Sequence, residues 1–583
     1  MTDRPFRLGS RSLTLAGVGS LVLASVGLFV VSRGKWSDAI IDSGREWIVP
    51  DALARGEVLY RDVVYWFGPF TPYLHAAFFQ VFGSSFGTLA LAGVAGSLGI
   101  LTALFLALRT VTGRREAALW TSLAVPALVF MPNAGGSILG MGFRIWHAAA
   151  FALLAIAVAS GRTPGRIERV AAVGAGALSA LAGLCRTEWG ILSAAAVFLT
   201  LALRSPSRAQ TLRNCFRAAA AFLLVFGGTL GAFLVAAGPK AVLDQGQLLL
   251  LGVPAETRAF LIEFSGIRDW RNGVLALVYS TGAWLGVVLV LQILSFGAEN
   301  RGRLRRKLAV LVGVLLLLAL CATLGGADGF VLASAAPFFC GLALYVGVFG
   351  RRRNAALAGF GLAGFLSFYR RPFHIGDAAY VGGPLLFAFV CAAGLLQALF
   401  EAEESMRVRE RLRAHSSAVL LLLVALAFAV RAGQYRSDER IPIPGTGGYL
   451  SARPEVAARL EQLSDEIRRQ SRAGEGLVVF PEGEVVNYLA GRPNPIRHKL
   501  YIPGYLTDSN EEEVLDELRR SPPRTILVLS RPTSEYGPRV FGIGYGTRIR
   551  RWMEEHYDIR PFDASDAVRA RSGGWTGIAV RHR

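Results

Sequence analysis

The chain has 583 residues, of which 53% are hydrophobic and 18% charged. Because a soluble protein of this size carries about 25% charged residues, this composition excludes an ordinary soluble protein and indicates a polytopic α-helical membrane protein. The formal net charge of +20 does not indicate a nucleic-acid-binding protein, since no stripe of basic residues interleaved with aromatics occurs along the chain.

A spanning helix needs about 20 predominantly apolar residues, and about thirteen such runs follow one another. We predict spans at 13–32, 86–108, 117–131, 145–160, 170–185, 189–203, 218–237, 274–297, 308–324, 330–349, 355–368, 381–400 and 416–431. Arginines are concentrated in the basic N-terminus and in the connectors 109–115, 161–169, 204–217, 299–307, 351–354 and 407–413. Since basic connectors stay in the cytoplasm, the N-terminus is predicted to be cytoplasmic, and residues 33–85, the first loop, are predicted to be external.

The first loop contains a mixed stretch, 42–75, in which carboxylates and arginines alternate with aromatics. Residues 52–63 predict an amphipathic helix on the bilayer surface, which Pro69 and Pro72 are expected to break. The aromatic side chains of Trp66, Phe67 and Tyr73 are suited to anchor at the lipid headgroups. The alternative is an interfacial re-entrant helix that only seals the bundle. Asp42, Arg45 and Glu46 fall within about one helical turn, and an ionisable cluster beside a span requires water, partners or a substrate.

After residue 431 the composition becomes that of a soluble domain. A linker at 433–454 precedes a helix at 455–470, a strand at 476–480, a helix at 511–520, a strand at 525–530, a helix at 548–557 and a strand at 577–582. Asp508 or Ser509 is the predicted N-cap of the second of these helices. We therefore predict a transmembrane domain at 1–431 and a small external α/β domain, the C-terminal segment, at 432–583.

The first loop resembles that of the GT-C superfold of membrane glycosyltransferases, close to the aminoarabinose transferase and protein O-mannosyltransferase group. The likeness is carried by the pattern D-x-G-R-E-…-P-…-L-x-x-G-x-x-L-Y-R-D-…-Y-x-x-G-P, which runs from Asp42 to Pro69. The segments AGLCRTEWG (182–190) and YRRPFHIGDAAYVGGP (369–384) are similar to further segments of the family. The resemblance implies a GT-C-like bundle with interfacial helices in the first loop.

For function, the resemblance implies transfer of a sugar from a polyprenyl-phosphate carrier to a lipid, glycan or protein acceptor at the outer face of a bacterial cytoplasmic membrane. The acceptor hydroxyl must lose its proton as it attacks, so the reaction needs a general base. The family carries its catalytic acidic residue on the first external loop. The resemblance therefore assigns the role of base to Asp42, with Glu46 as the second candidate. The spacing D-x-x-x-E differs from the adjacent pair of mannosyltransferases and leaves either carboxylate as the base.

The departing polyprenyl phosphate gains negative charge and requires arginine donors or a metal ion. The resemblance implies substrate- or phosphate-binding roles for Arg45, Tyr60, Arg61, Asp62, Arg186, Glu188, Arg370, Arg371 and His374. The structural alternatives are an ion pair between Arg186 and Glu188, and snorkelling of Arg370 and Arg371 toward the headgroups. No DxD motif occurs, so the expected cofactor is either none or one divalent cation, Mg²⁺ or Mn²⁺, on a loop carboxylate.

One further acidic motif, PEGE at 481–484, follows a predicted strand. It lacks a histidine or a third acid of a metal site and is interpreted as a solvated turn. Two other functional classes compete with sugar transfer: a polytopic transporter or lipid flippase, and a scaffold for envelope assembly. A transporter is expected to place broken or ionisable segments mid-membrane in matching halves, whereas the charged residues here gather at one predicted face.

Overall fold

The computed structural model describes residues 10–131, 138–140, 142–161, 166–245, 329–350, 353–369, 382–403, 405–529, 540–562 and 576–582, with isolated positions between 255 and 282. The predicted spans at 274–297 and 308–324 lie outside these residues except for two isolated positions. The chain divides into two compact units. The first unit comprises Met1–Ser32, Ala95–Phe226 and Asp269–Asp438, and the second comprises Arg33–Val94, Gly227–Arg268 and Glu439–Arg583.

The N-terminal half of the chain is helical. Its helices are α1 (Ser10–Ser32), α2 (Asp42–Ala54), α3 (Phe70–Phe82), α4 (Phe86–Val111), α5 (Arg114–Ala124), α6 (Phe143–Ser160), α7 (Arg166–Cys185), α8 (Thr187–Arg204), α9 (Arg208–Ala237) and α10 (Pro239–Gln245). Further along follow α11 (Gly329–Phe349), α12 (Ala355–Tyr369), α13 (Gly382–Ala402) and α14 (Met406–Arg436).

The described part of the chain contains seven helices that are long and apolar enough to cross a membrane: Phe86–Val111, Phe143–Ser160, Ile167–Cys185, Thr187–Arg204, Arg208–Ala237, Gly382–Ala402 and Met406–Arg436. Each coincides with a predicted span. Shorter apolar helices cover Val22–Ser32, Ala336–Phe349 and Ala355–Ser367. The prediction of a multi-pass helical membrane protein is thereby confirmed.

A buried arginine joins two helices of the first unit. α5 continues into a π-helical turn, Val125–Val129, which contains Pro126, a residue without an amide N–H to donate. Nε of Arg431, near the end of α14, donates to the carbonyl oxygen of Pro126 at 3.0 Å, and Nη1 donates to Oε1 of Gln434 at 2.8 Å. Because irregular turns leave backbone groups unpaired, this guanidinium supplies a donor that the helix ladder lacks.

The C-terminal segment forms a four-stranded sheet with helices beside it. In chain order its elements are β1 (Ile441–Pro442), β2 (Ser451–Ala452), α15 (Pro454–Gln470), β3 (Leu477–Phe480), α16 (Val485–Ala490), α17 (Glu511–Arg520), β4 (Thr525–Val528), α18 (Thr547–His556), β5 (Tyr557–Pro561) and β6 (Gly577–Arg581). The sheet order is β3-β4-β6-β5, with β3 parallel to β4 and the other pairs antiparallel. β1 and β2 form a separate antiparallel pair.

The helices and strands predicted for this segment are confirmed, but β1, β2, α16 and β5 were not predicted, and one N-cap differs from the prediction. β5 was not predicted, because this edge strand is mostly exposed along its length and so lacks an apolar run. The N-cap of α17 is Asn510 rather than Asp508 or Ser509. The side chain of Asn510 is turned back to the preceding turn, where its Oδ1 accepts from the amide of Thr507 at 2.8 Å.

The first loop is less helical than predicted, because α2 ends at Ala54. Gly56 has a φ of 96°, and the amide of Glu57 donates to the carbonyl of Ala52 at 3.1 Å while that of Gly56 donates to Leu53 at 3.0 Å. This pair of bonds is the Schellman ending, for which a residue with positive φ is required. The predicted surface helix over 52–63 is therefore wrong, and Pro69 caps the start of α3 instead of breaking a helix.

Candidate functional site

The three charged residues at the start of α2 share its first two turns. Asp38 precedes them and accepts the amides of Ile40 and Ile41 at 2.8 and 2.7 Å, which fixes the approach to the helix. An Oδ1 atom of Asp42 accepts a hydrogen bond from Nη2 of Arg45. An acid in the first turn also interacts favourably with the helix dipole. Asp42 is thus held as an ion-paired carboxylate with about a quarter of its side chain, 23%, accessible.

The first turn of α2 packs directly on the C-terminal segment at Gly44. A Cβ atom on Gly44 would lie 2.3 Å from the backbone nitrogen of Val485 and 2.7 Å from the carbonyl carbon of Glu484. Three residues further along α2, the ring of Trp47 meets that of Tyr488 edge-on at 5.1 Å. Because only a hydrogen fits at Gly44, this glycine allows the helix that carries Asp42 to contact α16 backbone to backbone.

The PEGE motif lies inside this contact and not in solvent. The exposed fraction of Glu482 is 0% and that of Glu484 is 1%, so the interpretation as a solvated turn is wrong. The physical reason is that β3, which precedes the motif, is buried along its whole length, and the chain passes directly from it into the packed start of α16. Burial and, to a lesser degree, the nearby charge of Glu482 raise the pKa of Glu484, while backbone hydrogen bonds and the positive charge of Arg45 oppose them, and the net result is a pKa of about 8.

The sequence Tyr60-Arg61-Asp62 forms a tight turn between α2 and α3. Tyr60 is fully buried, has a φ of 70° and donates its hydroxyl to the carbonyl of Phe67 at 2.8 Å. Arg61 pairs with Asp62 at 2.8 Å, and Asp62 also accepts the amide of Val58 at 2.8 Å. The hydrogen bond from Arg61 lowers the pKa of Asp62 in spite of partial burial. The phenol of Tyr60 therefore supports the loop, while Arg61 and Asp62 remain at its surface.

Arg497 of the C-terminal segment holds this turn, and sequence reasoning missed it. Its Nε donates to the carbonyl of Arg61 at 2.6 Å, and its Nη2 donates to the carbonyl of Tyr60 at 3.1 Å. Its own carbonyl accepts the amide of Val64 at 3.0 Å, and its Nη1 lies 3.2 Å from Glu513 of α17. The first loop is thus attached to the C-terminal segment at the Tyr60 turn as well as at Gly44.

A third attachment is apolar. Trp66 is buried and meets Tyr505 edge-on at 5.8 Å, in a cluster with Ile502. The prediction that Trp66 anchors at the headgroups is therefore wrong, since its ring is covered by the C-terminal segment. A buried aromatic pair of this kind contributes about 0.5–1.5 kcal/mol beyond its buried area.

Within the described residues, one group has three side chains placed to ligate a metal ion: His498, Glu513 and Glu517. Oε2 of Glu517 already accepts the backbone amides of Arg497 and His498, at 3.0 and 3.3 Å, and contacts Nδ1 of His498 at 3.0 Å. Burial alone would raise the pKa of Glu517, but the bonds and charges of His498 and Arg497 lower it. Oε2 of Glu517 is thus occupied, whereas its Oε1 is buried and accepts no hydrogen bond from the described residues.

Asp42 and Glu46 are not joined by a third acid or histidine within metal-ligand reach among the described residues. A divalent cation on the first loop therefore stays an expectation from the sequence.

The remaining predicted residues belong to the first unit or lie outside the described residues. Arg186 caps the start of α8, where its Nη2 lies 2.6 Å from Oε1 of Glu188. The ion pair proposed as the structural alternative is thus present. The short turn between α7 and α8 is tight, because a Cβ on Gly190 would lie 2.6 Å from the Cα of Gly183. Arg370, Arg371 and His374 lie outside the described residues.

The first unit also contains a cavity of about 1230 Å³. Its wall includes Ser160, Arg204, Gly350, Arg353 and Glu401, which all stand at helix ends beside the arginine-rich connectors. The sequence predicts that those connectors are cytoplasmic.

The chain matches no protein-family model and no curated protein. Among solved structures it is similar to ArnT from Cupriavidus metallidurans in the apo state, with a TM-score of 0.52 and 13% identity over 97% of this chain and 98% of that one. The same protein bound to undecaprenyl phosphate gives a TM-score of 0.52, 12% identity and coverage of 98% of both chains.

An archaeal oligosaccharyltransferase, AglB from Archaeoglobus fulgidus, gives a TM-score of 0.49 and 13% identity over 98% of this chain and 74% of that one. The assignment of the fold rests on the similarity to ArnT, because this similarity extends over nearly the whole of both chains. It shows that this chain has the GT-C fold of membrane glycosyltransferases.

Proposed function

We propose that this protein is an integral membrane glycosyltransferase that moves a sugar from a polyprenyl-phosphate carrier to a lipid, glycan or protein acceptor. The observation that carries the proposal is the ion-paired Asp42 at the start of α2, on a first loop packed against the C-terminal segment, in a chain with the GT-C fold. ArnT, which shares that fold, has been solved with undecaprenyl phosphate, and this supports the donor class.

In the proposed reaction the acceptor oxygen bonds to C1 of the sugar as the bond from C1 to the phosphate oxygen breaks. The proton of the acceptor hydroxyl passes to Asp42, and the electron pair leaves with the polyprenyl phosphate. Nη2 of Arg45 donates to one oxygen of Asp42 and holds this carboxylate in place. In this proposal the carboxylate of Asp42 accepts the proton. Glu46, four residues further along the same helix, is the alternative base.

The phosphate- and substrate-binding roles of Arg61, Arg186, Glu188, Arg370, Arg371 and His374 stay predictions from the resemblance. The same holds for the topology, in which the N-terminus is cytoplasmic, residues 1–431 form the transmembrane domain and the C-terminal segment is external. Tyr60 and Asp62 are proposed to act by shaping the turn, since both are bonded to the loop backbone.

The test is turnover of purified protein in nanodiscs with a panel of polyprenyl-phosphate sugars and release of the polyprenyl phosphate as readout. Asp42→Asn keeps the size of the side chain and removes its basicity, and general base catalysis contributes about 10²–10⁴-fold. Transfer should fall by that factor while donor binding is largely retained. Glu46→Gln is measured in parallel, and a larger loss there moves the base to Glu46.

Glu455→Gln is the matched control, because Glu455 is an exposed acid in the first turn of another helix, α15, and its removal should leave transfer unchanged. Near-normal transfer by Asp42→Asn with a verified donor would remove Asp42 from the mechanism. If no polyprenyl-phosphate sugar is consumed while the wild-type protein moves lipid between leaflets, the flippase alternative replaces the proposal.

A further inference from the structure

The buried acids of the PEGE motif adjoin the helix that carries the proposed base. Glu484 immediately precedes α16, at the point where the backbone of Gly44 contacts this segment. Gly44 is two residues from Asp42 and one residue from Arg45 in the sequence. Neither Glu482 nor Glu484 takes part in the reaction as described above. Burying a carboxylate with an unsatisfied oxygen is costly, so the position of Glu484 requires an account.

Hydrogen bonding leaves Glu484 only half satisfied. Its Oε2 accepts the amide of Gly483 at 3.2 Å, while its Oε1 is buried and accepts no hydrogen bond from the described residues. A carboxylate in this state is stabilised either by holding a proton or by drawing in a cation. Both routes are open here, because burial raises its pKa to about 8, so the two forms are close in free energy at physiological pH.

The groups that act electrostatically on Glu484 come from three parts of the second unit. Glu482 is on its own turn, Arg45 is on α2, and Lys499 and Tyr501 are on the segment after α16. The buried ammonium of Lys499 donates to the carbonyls of Asn494 and Ile496, at 3.2 and 2.6 Å. It is therefore held by its own segment.

Arg45 differs from Lys499, because it is already paired with Asp42 on its own helix. Its guanidinium has five N–H donors and can serve two carboxylates, but a stronger pull from one weakens its geometry toward the other. Asp42 and Glu484 are therefore two acids coupled to one cation.

We propose that Glu484 is a positioning residue of the C-terminal segment, which acts on Arg45, and through Arg45 on Asp42, by holding or releasing a proton. The inference rests on the proposed function, because it assigns Asp42 its role there. When Glu484 is protonated, Arg45 stays ion-paired with Asp42, and this pair holds the proposed base Asp42 in place. With Glu484 ionised, Arg45 is drawn toward α16, and the Asp42–Arg45 pair and the first turn of α2 loosen.

The first test is the dependence of kcat on pH from 6 to 9.5. Glu484→Gln fixes the neutral form with little change of shape. The wild-type protein should lose activity as pH rises through about 8, and Glu484→Gln should keep its activity over this range while matching the wild type within about twofold at pH 6.5. Glu461→Gln, an exposed acid on α15, is the control and should follow the wild type. Superimposable profiles for the wild type and Glu484→Gln overturn the proposal.

The second test does not depend on sugar transfer. Hydrogen exchange of residues 42–54, corrected for its intrinsic pH dependence, should accelerate above pH 8 in the wild type and not in Glu484→Gln. If exchange behaves so but no donor is ever consumed, the proposed function fails and the coupling stands. If transfer is measured and neither profile changes in Glu484→Gln, the coupling fails and the function stands.

Should Glu484→Gln not fold, Arg45→Gln answers the same question. It removes the shared cation, and the alkaline step in exchange of α2 should vanish with it. A step that persists in Arg45→Gln overturns the proposal, because Glu484 would then act on α2 by another route.

Discussion

The guanidinium of Arg497 donates a 3.1 Å hydrogen bond to the carbonyl oxygen of Tyr60. Tyr60 has a φ of 70°, in a region that costs a residue with a side chain roughly 1–2 kcal/mol. Its carbonyl and that of Arg61 both point to Arg497. The C-terminal segment thus stabilises an unfavourable backbone conformation in the first loop, and this contact gives the first prediction.

Arg497→Lys should loosen the Tyr60 turn. Lysine keeps the charge but not the planar fork that reaches two carbonyls at once, and hydrogen bonds from charged groups contribute about 1.5–3 kcal/mol each. Exchange of the amides of Tyr60 and Asp62 should accelerate roughly 10- to 150-fold. Arg519→Lys, in an exposed ion-pair group on α17, is the control. Unchanged exchange in Arg497→Lys would mean that the turn is held by its own contacts.

Gly44→Ala should separate α2 from α16. The new Cβ would stand 2.3 Å from the backbone nitrogen of Val485, which no side-chain movement can relieve. Overpacking of this kind costs about 1–3 kcal/mol, and displacement of the helix that carries the proposed base should lower turnover on the order of 10²-fold. Both thermal stability and transfer are measured.

The control for this substitution is Gly99→Ala. Gly99 is a helical glycine of α4 with no atom within 4 Å of the built Cβ, and there alanine should stabilise by up to about 1 kcal/mol. If Gly44→Ala behaves like Gly99→Ala, the contact between α2 and α16 does not position the site.

The stability of the protein should also depend on Glu484. The folded state raises the pKa of this acid from 4.5 to about 8, so between these values the folded state holds a proton that the unfolded state has lost. Stability from this group is complete below pH 4.5, falls as pH rises, and levels off above about 8. The thermal midpoint of Glu484→Gln should therefore rise relative to the wild type between pH 5.5 and 8. A constant difference would place the pKa of Glu484 in its ordinary range.

The C-terminal segment should be external. With about thirteen spans and a cytoplasmic N-terminus, the C-terminus falls on the opposite side. Alkaline phosphatase fused after residue 583 should be active. Green fluorescent protein fused at the same position should not fluoresce, because it would be exported through the Sec pathway. A cytoplasmic C-terminus would require an even number of spans and would invert the assignment of the C-terminal segment.

Much of the fold was predictable because its signals are local. Long apolar runs predicted each of the seven helices able to cross a membrane, and apolar stretches bounded by turns predicted β3, β4 and β6. The end of α2 was also signalled locally, by Leu53 and Gly56, but the amphipathic pattern that continues to Val63 concealed it. β5 gave no signal, since an exposed edge strand needs no apolar run.

The contacts of the candidate site were not predictable, because they join distant residues. The ion pair between Asp42 and Arg45 follows from a spacing of three on a helix. The contacts of the first loop do not follow from local spacing. Gly44 contacts Glu484, and Tyr60 contacts Arg497, although each pair is separated by most of the sequence. Glu484 was misjudged because two acids in a turn are usually exposed, and its burial depends on a helix that lies far away in sequence.

Tyr60 and Arg497 are separated by 437 residues, which sets an order of events during biosynthesis. At about 5–20 residues per second, the first loop leaves the ribosome roughly 20–90 s before the residues that hold it. During that interval Gly44 has no backbone to pack against, Trp66 is uncovered, and the turn at Tyr60 lacks the donors that stabilise it. The first loop is thus synthesised well before these contacts can form. It reaches the conformation described above only after the last part of the chain has been made.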